Sequence, residues 1–239
     1  MPYKHDADRL ASQYESSGKL EDYIAANEAY GKLINSGMYT NDDLIWYAYL
    51  QDCHSSYYVK KAIELYNKAI DEGKNNHDAS YYKAHCQLIV LLAKNNRSHE
   101  SIERYKQMVR DEPGNWRAYQ ILSNAYFWAK QYDDAWLAIE AAMKFEPNNA
   151  GLLSEAGYVL KALGRYDEAI KLYDKSLALD NNDAGSLYGK ACLYMDTNRN
   201  KEAITAWEDV VTWLEAHGYS VETDWPKREI EKLKNKIIK

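Results

Sequence analysis

Two consecutive segments of equal length decide the fold of this chain. Residues 116–149 read WRAYQILSNAYFWAKQYDDAWLAIEAAMKFEPNN, and residues 150–183 read AGLLSEAGYVLKALGRYDEAIKLYDKSLALDNND. When the two segments are aligned, Tyr132 falls on Tyr166 with an offset of 34 residues. A constant period of this size indicates a stacked array of repeats, in which each unit buries its apolar side against its neighbours.

Each segment contains two stretches with the periodicity of an α-helix. Apolar residues recur at spacings of three and four, which places them on one helical face. Gly164 lies in the break between the two stretches of the second segment, where a left-handed helix end favours glycine. Pro147 follows the second stretch of the first segment and stops it. Each segment is therefore predicted to form a hairpin of two helices.

Small residues recur at fixed positions and predict close helix crossings. One position in the first helices is held by Ser123, Gly157 and Ala191, and one position in the second helices by Ala135, Ala169 and Ala203. Two helices approach closely only where side chains are short, and larger neighbours then fill the remaining space.

These positions resemble the tetratricopeptide repeat (TPR) family, whose pattern combines leucine, glycine, tyrosine and alanine at set places in a 34-residue unit. The second segment carries that pattern as Leu153, Gly157, Gly164, Tyr166, Ala169 and Tyr173. The resemblance implies an all-α fold, an α-α superhelix (right-handed solenoid) of about six TPR helix hairpins plus a C-terminal capping helix, in a single domain over residues 1–239. We expect repeats at approximately 4–37, 43–76, 82–115, 116–149, 150–183 and 184–217.

The two ends of the array depart from the family pattern. In the first repeat, Tyr23 takes the place of the small alanine in the second helix. After the last repeat, Pro226 marks a helix start, and residues 225–239 are predicted to form the capping helix. Terminal repeats expose one apolar side and need a cap with a polar outer face. The apolar stripe of the predicted cap consists of Ile230, Leu233, Ile237 and Ile238.

Composition limits the class of protein. The chain has 239 residues, 46% of them hydrophobic, which is enough to bury a core. Its net charge of −6 disfavours general nucleic-acid binding, because such binding neutralises phosphates with lysine and arginine. The N-terminus lacks the apolar core of a signal peptide, and no run approaches the ~20 apolar residues of a membrane span. We expect a soluble, cytoplasmic protein without a membrane or nucleic-acid partner.

The sequence contains no catalytic motif. It lacks an HExxH zinc motif, a phosphate-binding glycine loop and a GxSxG elbow. The neighbouring pairs Cys53-His54 and His85-Cys86 are expected at opposite ends of adjacent first helices, where they do not converge on a metal. We therefore predict a non-enzymatic protein with no metal site and no cofactor.

The resemblance implies a binding surface on the first helices, which in this family line a concave groove for an extended peptide or a partner's helix. Asn124 matches the asparagine that family members use to hold a ligand's backbone. For Trp128 two readings stay open, a ligand contact or a wedge between repeats, because tryptophan is enriched at both. Carried over by register, the groove residues are Tyr47, Gln51, Lys83, Gln87, Arg117, Gln120, Asn124, Trp128, Tyr158, Lys161 and Tyr188.

Basic residues on the groove side suggest the chemistry of the ligand. Lys83, Lys94, Arg117 and Lys161 fall on groove-side positions, with Glu155 opposing them. Local charge steers the encounter with a partner, so we expect a protein or peptide partner with acidic character. The leading hypothesis is a non-enzymatic binding scaffold. The alternative is a self-associating TPR protein, for example a homodimer, that acts as a structural subunit of a larger assembly.

Overall fold

The computed structural model describes residues 2–54, 59–74, 79–219 and 223–237. Within these residues the chain forms thirteen α-helices and no strand, which confirms the predicted all-α hairpin fold. The helices are α1 (Pro2–Ser17), α2 (Leu20–Asn35), α3 (Asn41–His54), α4 (Val59–Gly73), α5 (Ala79–Lys94), α6 (Ser98–Asp111), α7 (Trp116–Trp128), α8 (Tyr132–Phe145), α9 (Ala150–Ala162), α10 (Tyr166–Leu179), α11 (Ala184–Asp196), α12 (Asn200–Ala216) and α13 (Asp224–Ile237).

The helices are organised in two compact units that divide between Glu103 and Arg104, inside α6. In the first unit, α1 pairs with α2, α3 pairs with α4, and α5 packs on both α3 and α4. In the second unit, α7 pairs with α8, α9 with α10 and α11 with α12, and α13 packs on α12. The extent of the solenoid as one domain stays a prediction.

The 34-residue period is visible at the start of the first helices of the second unit. The side-chain oxygen of Asn115 accepts a hydrogen bond from the backbone N–H of Arg117 at 3.0 Å. Asn149 and Asp183, one and two periods later, cap α9 and α11 in the same way. An N-cap side chain satisfies a backbone donor that has no partner within the helix, so the sequence itself fixes where each repeat begins.

The turn inside each hairpin also repeats with this period. Gly164 has a φ of 75°, so its predicted left-handed conformation is confirmed. The equivalent turn positions hold residues with side chains and keep a positive φ: Asn96 (58°), Lys130 (61°) and Asn198 (56°). Asparagine tolerates this region better than most residues, whereas at Lys130 the turn geometry overrides the local preference of the side chain.

The second helix of the first repeat packs one turn later than the sequence register suggested. The small residue at the close crossing is Ala26, which is fully buried, and not Tyr23. Tyr30, four residues further on, is the large buried side chain that follows it, with the same spacing as Ala169 and Tyr173. Because residues three apart lie on the same helical face, α2 keeps its apolar face inward despite the shift.

The ring of Tyr173 fills the space between α9 and α11. It is fully buried, and it faces two glycines. A β-carbon at Gly157 would lie 2.5 Å from its Cε1 atom, and a β-carbon at Gly189 would lie 2.5 Å from its Cζ atom. Real β-carbons do not approach ring atoms this closely, so both helices contact the ring at positions that have no side chain.

The last hairpin is covered by α13. Pro226, Ile230 and Leu233 are buried, and the latter two join the apolar cluster around Trp207 on α12. The outer face of α13 carries charged side chains, which suits a cap that ends an array. Of the other two residues predicted in its apolar stripe, Ile237 is exposed and Ile238 lies outside the described residues.

Candidate functional site

A cleft of about 160 Å³ lies between α7 and α9, the first helices of two successive repeats in the second unit. Three of the predicted groove residues, Asn124, Trp128 and Tyr158, line it together. The Trp128 side chain is 45% exposed, so its indole is available to a ligand and does not act as a buried wedge. The full lining consists of Ser123, Asn124, Phe127, Trp128, Glu155, Tyr158 and Val159.

Local helix geometry explains why Asn124 and Trp128 act together. They are four residues apart on α7, and residues at this spacing lie on the same helical face. Ala118, Ile121 and Ala125 of the same helix are buried, whereas Asn124 is partly exposed and Trp128 is exposed. The amide and the indole therefore lie at the edge of the buried face, where they line the cleft.

Gln120 and Glu155 connect the two helices across the cleft. The Gln120 Nε2 atom donates a hydrogen bond to Glu155 Oε1 at 2.7 Å. Burial raises the pKa of Glu155 to about 7, the Gln120 hydrogen bond acts in the opposite direction, and the negative charge of Asp183 raises the pKa further. The carboxyl is therefore divided between its neutral and its charged form near neutral pH.

Tyr158 joins α9 to the next hairpin. Its hydroxyl donates a hydrogen bond to the backbone carbonyl of Gly185 at 3.0 Å, and its ring lies edge-on to Tyr173 with centroids 5.7 Å apart. Burial raises the pKa of Tyr158 to about 12, so the phenol stays neutral at physiological pH. The side chain thus offers the cleft an uncharged, rigidly held ring.

The other predicted residues of the second unit do not line this cleft. The Arg117 guanidinium lies over the Trp116 ring at 4.7 Å from its centroid. Lys161 forms an ion pair with Asp196 on α11, with 2.9 Å between Nζ and Oδ2. Tyr188 packs edge-on against Trp207, inside the last hairpin.

The predicted residues of the first unit divide into packing residues and surface residues. Gln51 is 2% exposed, and its amide donates to the Asn27 side chain on α2. Tyr47 stacks on Tyr30 with ring centroids 6.3 Å apart. Both residues therefore join α2 to α3 and do not face an open groove. Lys83 and Gln87 line a cleft of about 210 Å³ within this unit, together with Glu15, Ile45, Trp46 and Tyr49.

Sequence reasoning treated Glu155 only as a charge opposing the basic residues, yet it is the charged group in the lining of the cleft. A sequence signal was available, because Glu155 is the only acidic residue of α9 and follows the apolar run of Leu152 and Leu153. An acidic residue within a largely buried stretch is expected to be partly desolvated. Its proximity to Gln120 depends on the packing of two repeats and could not be read from local pattern.

The structure describes the side chains of one of the two cysteine–histidine pairs, His85-Cys86. His85 is buried, and its ring packs edge-on against Tyr81 at 4.5 Å. The side chains of Cys53 and His54 lie outside the described residues. In the part of the chain that the structure describes, no group of three or more potential metal ligands comes together, and none of the helices has the length and apolar character to cross a bilayer.

The hairpins, their common period and the cleft between successive first helices define a helical repeat protein. Sequence models of the family identify the repeats directly. The model for the tetratricopeptide repeat matches residues 86–151, and a second model for the TPR repeat matches residues 157–196. The chain therefore contains tetratricopeptide repeats over these residues.

Two known proteins illustrate the similarity. A TPR repeat-containing protein of Methanocaldococcus jannaschii is 28% identical over 150 residues, a match that covers 59% of this chain and 44% of that relative. The match therefore spans less than half the length of this relative. The crystal structure of a thermophilic TPR protein of Thermus thermophilus aligns with a TM-score of 0.55 and 20% identity, covering 77% of this chain and 98% of the other. At this level of identity the alignment establishes a shared fold.

Proposed function

We propose that the chain is a non-enzymatic scaffold that binds a peptide or protein segment in the cleft between α7 and α9. The observation that carries this proposal is the exposed indole of Trp128 beside the Asn124 amide at the mouth of an apolar cleft. Recognition sites are typically concave, largely apolar and provided with a few polar groups that fix orientation. Tryptophan is also among the residues that dominate binding energies in protein interfaces.

The size of the cleft indicates how a segment is held. Its volume of about 160 Å³ is below the range of roughly 300–1,000 Å³ that encloses a small-molecule ligand. A single side chain of the partner fits this space, while the backbone of the partner lies along the face of α7. Asn124 is placed to hydrogen-bond that backbone, in the role that the family resemblance assigns to it.

The charges around the cleft give an acidic ligand no advantage. The basic group of Lys161 is paired with Asp196, and the charged group inside the lining is Glu155. A carboxylate that entered the cleft would face this side chain. The acidic partner expected from the positions of basic residues is therefore not part of the proposal.

A comparison of two exposed apolar residues tests the site. The immobilised chain is used to capture partners from a lysate of the native host, and the captured proteins are identified by mass spectrometry, purified and titrated by calorimetry. Trp128→Ala is expected to raise Kd by about 30-fold or more, the loss of roughly 2 kcal/mol that defines a hot spot. Leu137→Ala, at a 63% exposed position on α8 outside the cleft, is the matched control and should leave Kd unchanged. If both variants bind equally well, the cleft is not the binding site.

Self-association is the alternative function, and one feature favours it. Trp225 on α13 is exposed although the rest of its helix packs on the last hairpin. An exposed tryptophan at the end of an array suits a contact between two copies of the chain. Light scattering across a dilution series distinguishes this alternative, since a homodimer loses mass on dilution and Trp225→Ala should make the chain monomeric at all concentrations.

A further inference from the structure

Within the residues that the structure describes, no positive charge compensates the Glu155 carboxylate. Gln120 is the one hydrogen-bond partner that the described residues give its side chain, although a carboxylate can accept about four hydrogen bonds. No lysine or arginine in the described part of the chain pairs with it. A desolvated carboxylate without a partner is unfavourable, so a cation that enters the cleft relieves this state.

The basic residues of α7 and α9 are occupied elsewhere. Lys161, on the same helix as Glu155, is held by Asp196. Arg117, on the neighbouring first helix, stacks on Trp116. Neither side chain lines the cleft, and Asp183 adds negative potential at Glu155. The local electrostatic field therefore favours a positive charge supplied from outside the chain.

Aromatic rings complete the chemistry of the cleft. Phe127, Trp128 and Tyr158 line it together with Glu155. The face of an aromatic ring carries partial negative charge and attracts ammonium and guanidinium groups, most strongly when the ring is tryptophan. A carboxylate beside several rings is suited to a long side chain with an apolar stem and a cationic end, because the rings contact the stem and the carboxylate pairs with the charge.

We infer that the cleft between α7 and α9 binds a lysine or arginine side chain of the partner segment, with Glu155 as its counter-charge and Trp128 as its ring contact. The inference rests on the proposed function, because it specifies the side chain that the same cleft receives. It reverses the sign of the ligand charge expected from the sequence, since the decisive group is a desolvated carboxylate and not the surrounding lysines.

Binding of a cation to Glu155 makes affinity depend on pH. The cation binds the charged form, whereas burial holds the pKa of the free carboxyl at about 7. The groups that face Glu155 are Gln120 from α7, which does not titrate, and Asp183, which precedes α11. Tyr158, on the same helix, stays neutral because its pKa is raised to about 12. With a pKa of about 7, roughly one-eleventh of Glu155 is charged at pH 6 and ten-elevenths at pH 8, so affinity is expected to rise about tenfold between them.

A random dodecapeptide display library provides the probe. The library is selected on the full-length chain at pH 8 and counter-selected on the Trp128→Ala variant, so that the retained peptides depend on the cleft. We expect the retained peptides to be enriched in lysine or arginine at one position. A synthetic peptide of that sequence, and a version with glutamine at the basic position, are then titrated at pH 6 and pH 8.

Glu155→Gln and Glu146→Gln separate the effect of the cleft from that of net charge. Both variants remove one negative charge, but Glu146 lies on the exposed surface after α8 and does not line the cleft. For the basic peptide, Glu155→Gln is expected to lower affinity at pH 8 at least tenfold and to abolish the difference between pH 6 and pH 8. Glu146→Gln should retain most of the affinity and the whole pH dependence.

The outcomes distinguish the inference from the function on which it rests. Peptides that depend on Trp128 but lack a basic residue, or that bind equally well to Glu155→Gln, overturn the cation site and leave the scaffold function in place. A library that yields no Trp128-dependent peptide contradicts both. Circular dichroism and thermal melting of each variant establish that it is folded before its binding is compared.

Discussion

Replacement of Gly157 by alanine should destabilise the second unit through one defined contact. The new β-carbon would lie 2.5 Å from Cε1 of Tyr173, where ordinary contact begins at about 3.4 Å. The ring has no room to retreat, because Gly189 on α11 contacts its Cζ atom from the next repeat. Either the ring leaves its position or α9 and α11 separate, and both responses disturb a fully buried side chain.

The expected magnitude follows from two opposing effects. Overpacking of a well-filled core typically costs about 1–3 kcal/mol, and the trapped ring favours the upper part of that range. Alanine improves the intrinsic helix propensity of the position by up to about 1 kcal/mol. We therefore expect Gly157→Ala to lower the free energy of unfolding by about 1–2 kcal/mol, measured by urea denaturation with an unchanged dependence on denaturant.

A second glycine of the same helix provides the control. Gly151 is exposed, and a β-carbon there would meet nothing closer than the Asn149 side chain at 3.4 Å. Gly151→Ala should be neutral or stabilising by up to about 1 kcal/mol, because it only restricts the unfolded chain. If Gly157→Ala proves as stable as Gly151→Ala, the ring does not hold the two helices at this distance. In a Tyr173→Leu background, the effect of Gly157→Ala should shrink.

Four further outcomes test the fold and the cleft. Ala169→Phe places a large ring where two helices cross at a fully buried position and should lower stability by about 1–3 kcal/mol, seen as a lower urea midpoint. Tyr173→Phe removes a buried hydroxyl that lacks a hydrogen-bond partner in the described residues, and should raise stability by about 1 kcal/mol in the same assay. Leu233→Ala should lower stability by about 2–5 kcal/mol and expose the flank of the last hairpin, which dye binding detects. Folding raises the pKa of Glu155 from 4.5 to about 7, so the folded state is favoured while this carboxyl is protonated. That stabilisation is fully present below pH 4.5 and is lost as the pH rises through 7. Glu155→Gln should therefore be more stable than the parent by about 1–3 kcal/mol at pH 8 and nearly equal to it at pH 4.5.

The hairpins could be predicted from sequence because their signals are local. The left-handed turn at Gly164 and the recurring alanines depend on residues within one repeat, and 34-residue spacing then extends them along the chain. The register of α2 could not be obtained in this way, because residues one turn apart share a face and only packing selects Ala26 over Tyr23.

The candidate site was less predictable because its properties arise between helices. Their positions in the repeat were enough to predict that Asn124 and Trp128 lie on the groove side, and both line the cleft. The same reasoning failed to foresee that Gln51 would be buried against Asn27 or that Asp196 would pair with Lys161. Such pairs join residues of different helices, and an unaligned sequence does not reveal which side chains meet.

Asp183, the N-cap residue of α11, affects both the start of its own helix and the pKa of Glu155 on α9. Asp183 Oδ2 accepts the backbone N–H of Ser186 and the hydroxyl of Ser176, and its charge also acts on Glu155. The equivalent caps of α7 and α9 are asparagines, which hold a helix start without a charge. An asparagine at position 183 would therefore preserve the hairpin while it moved the titration of the neighbouring carboxyl to lower pH. A charge at a helix start can in this way shift the pKa of a carboxyl on the preceding first helix, in addition to the larger effect of burial.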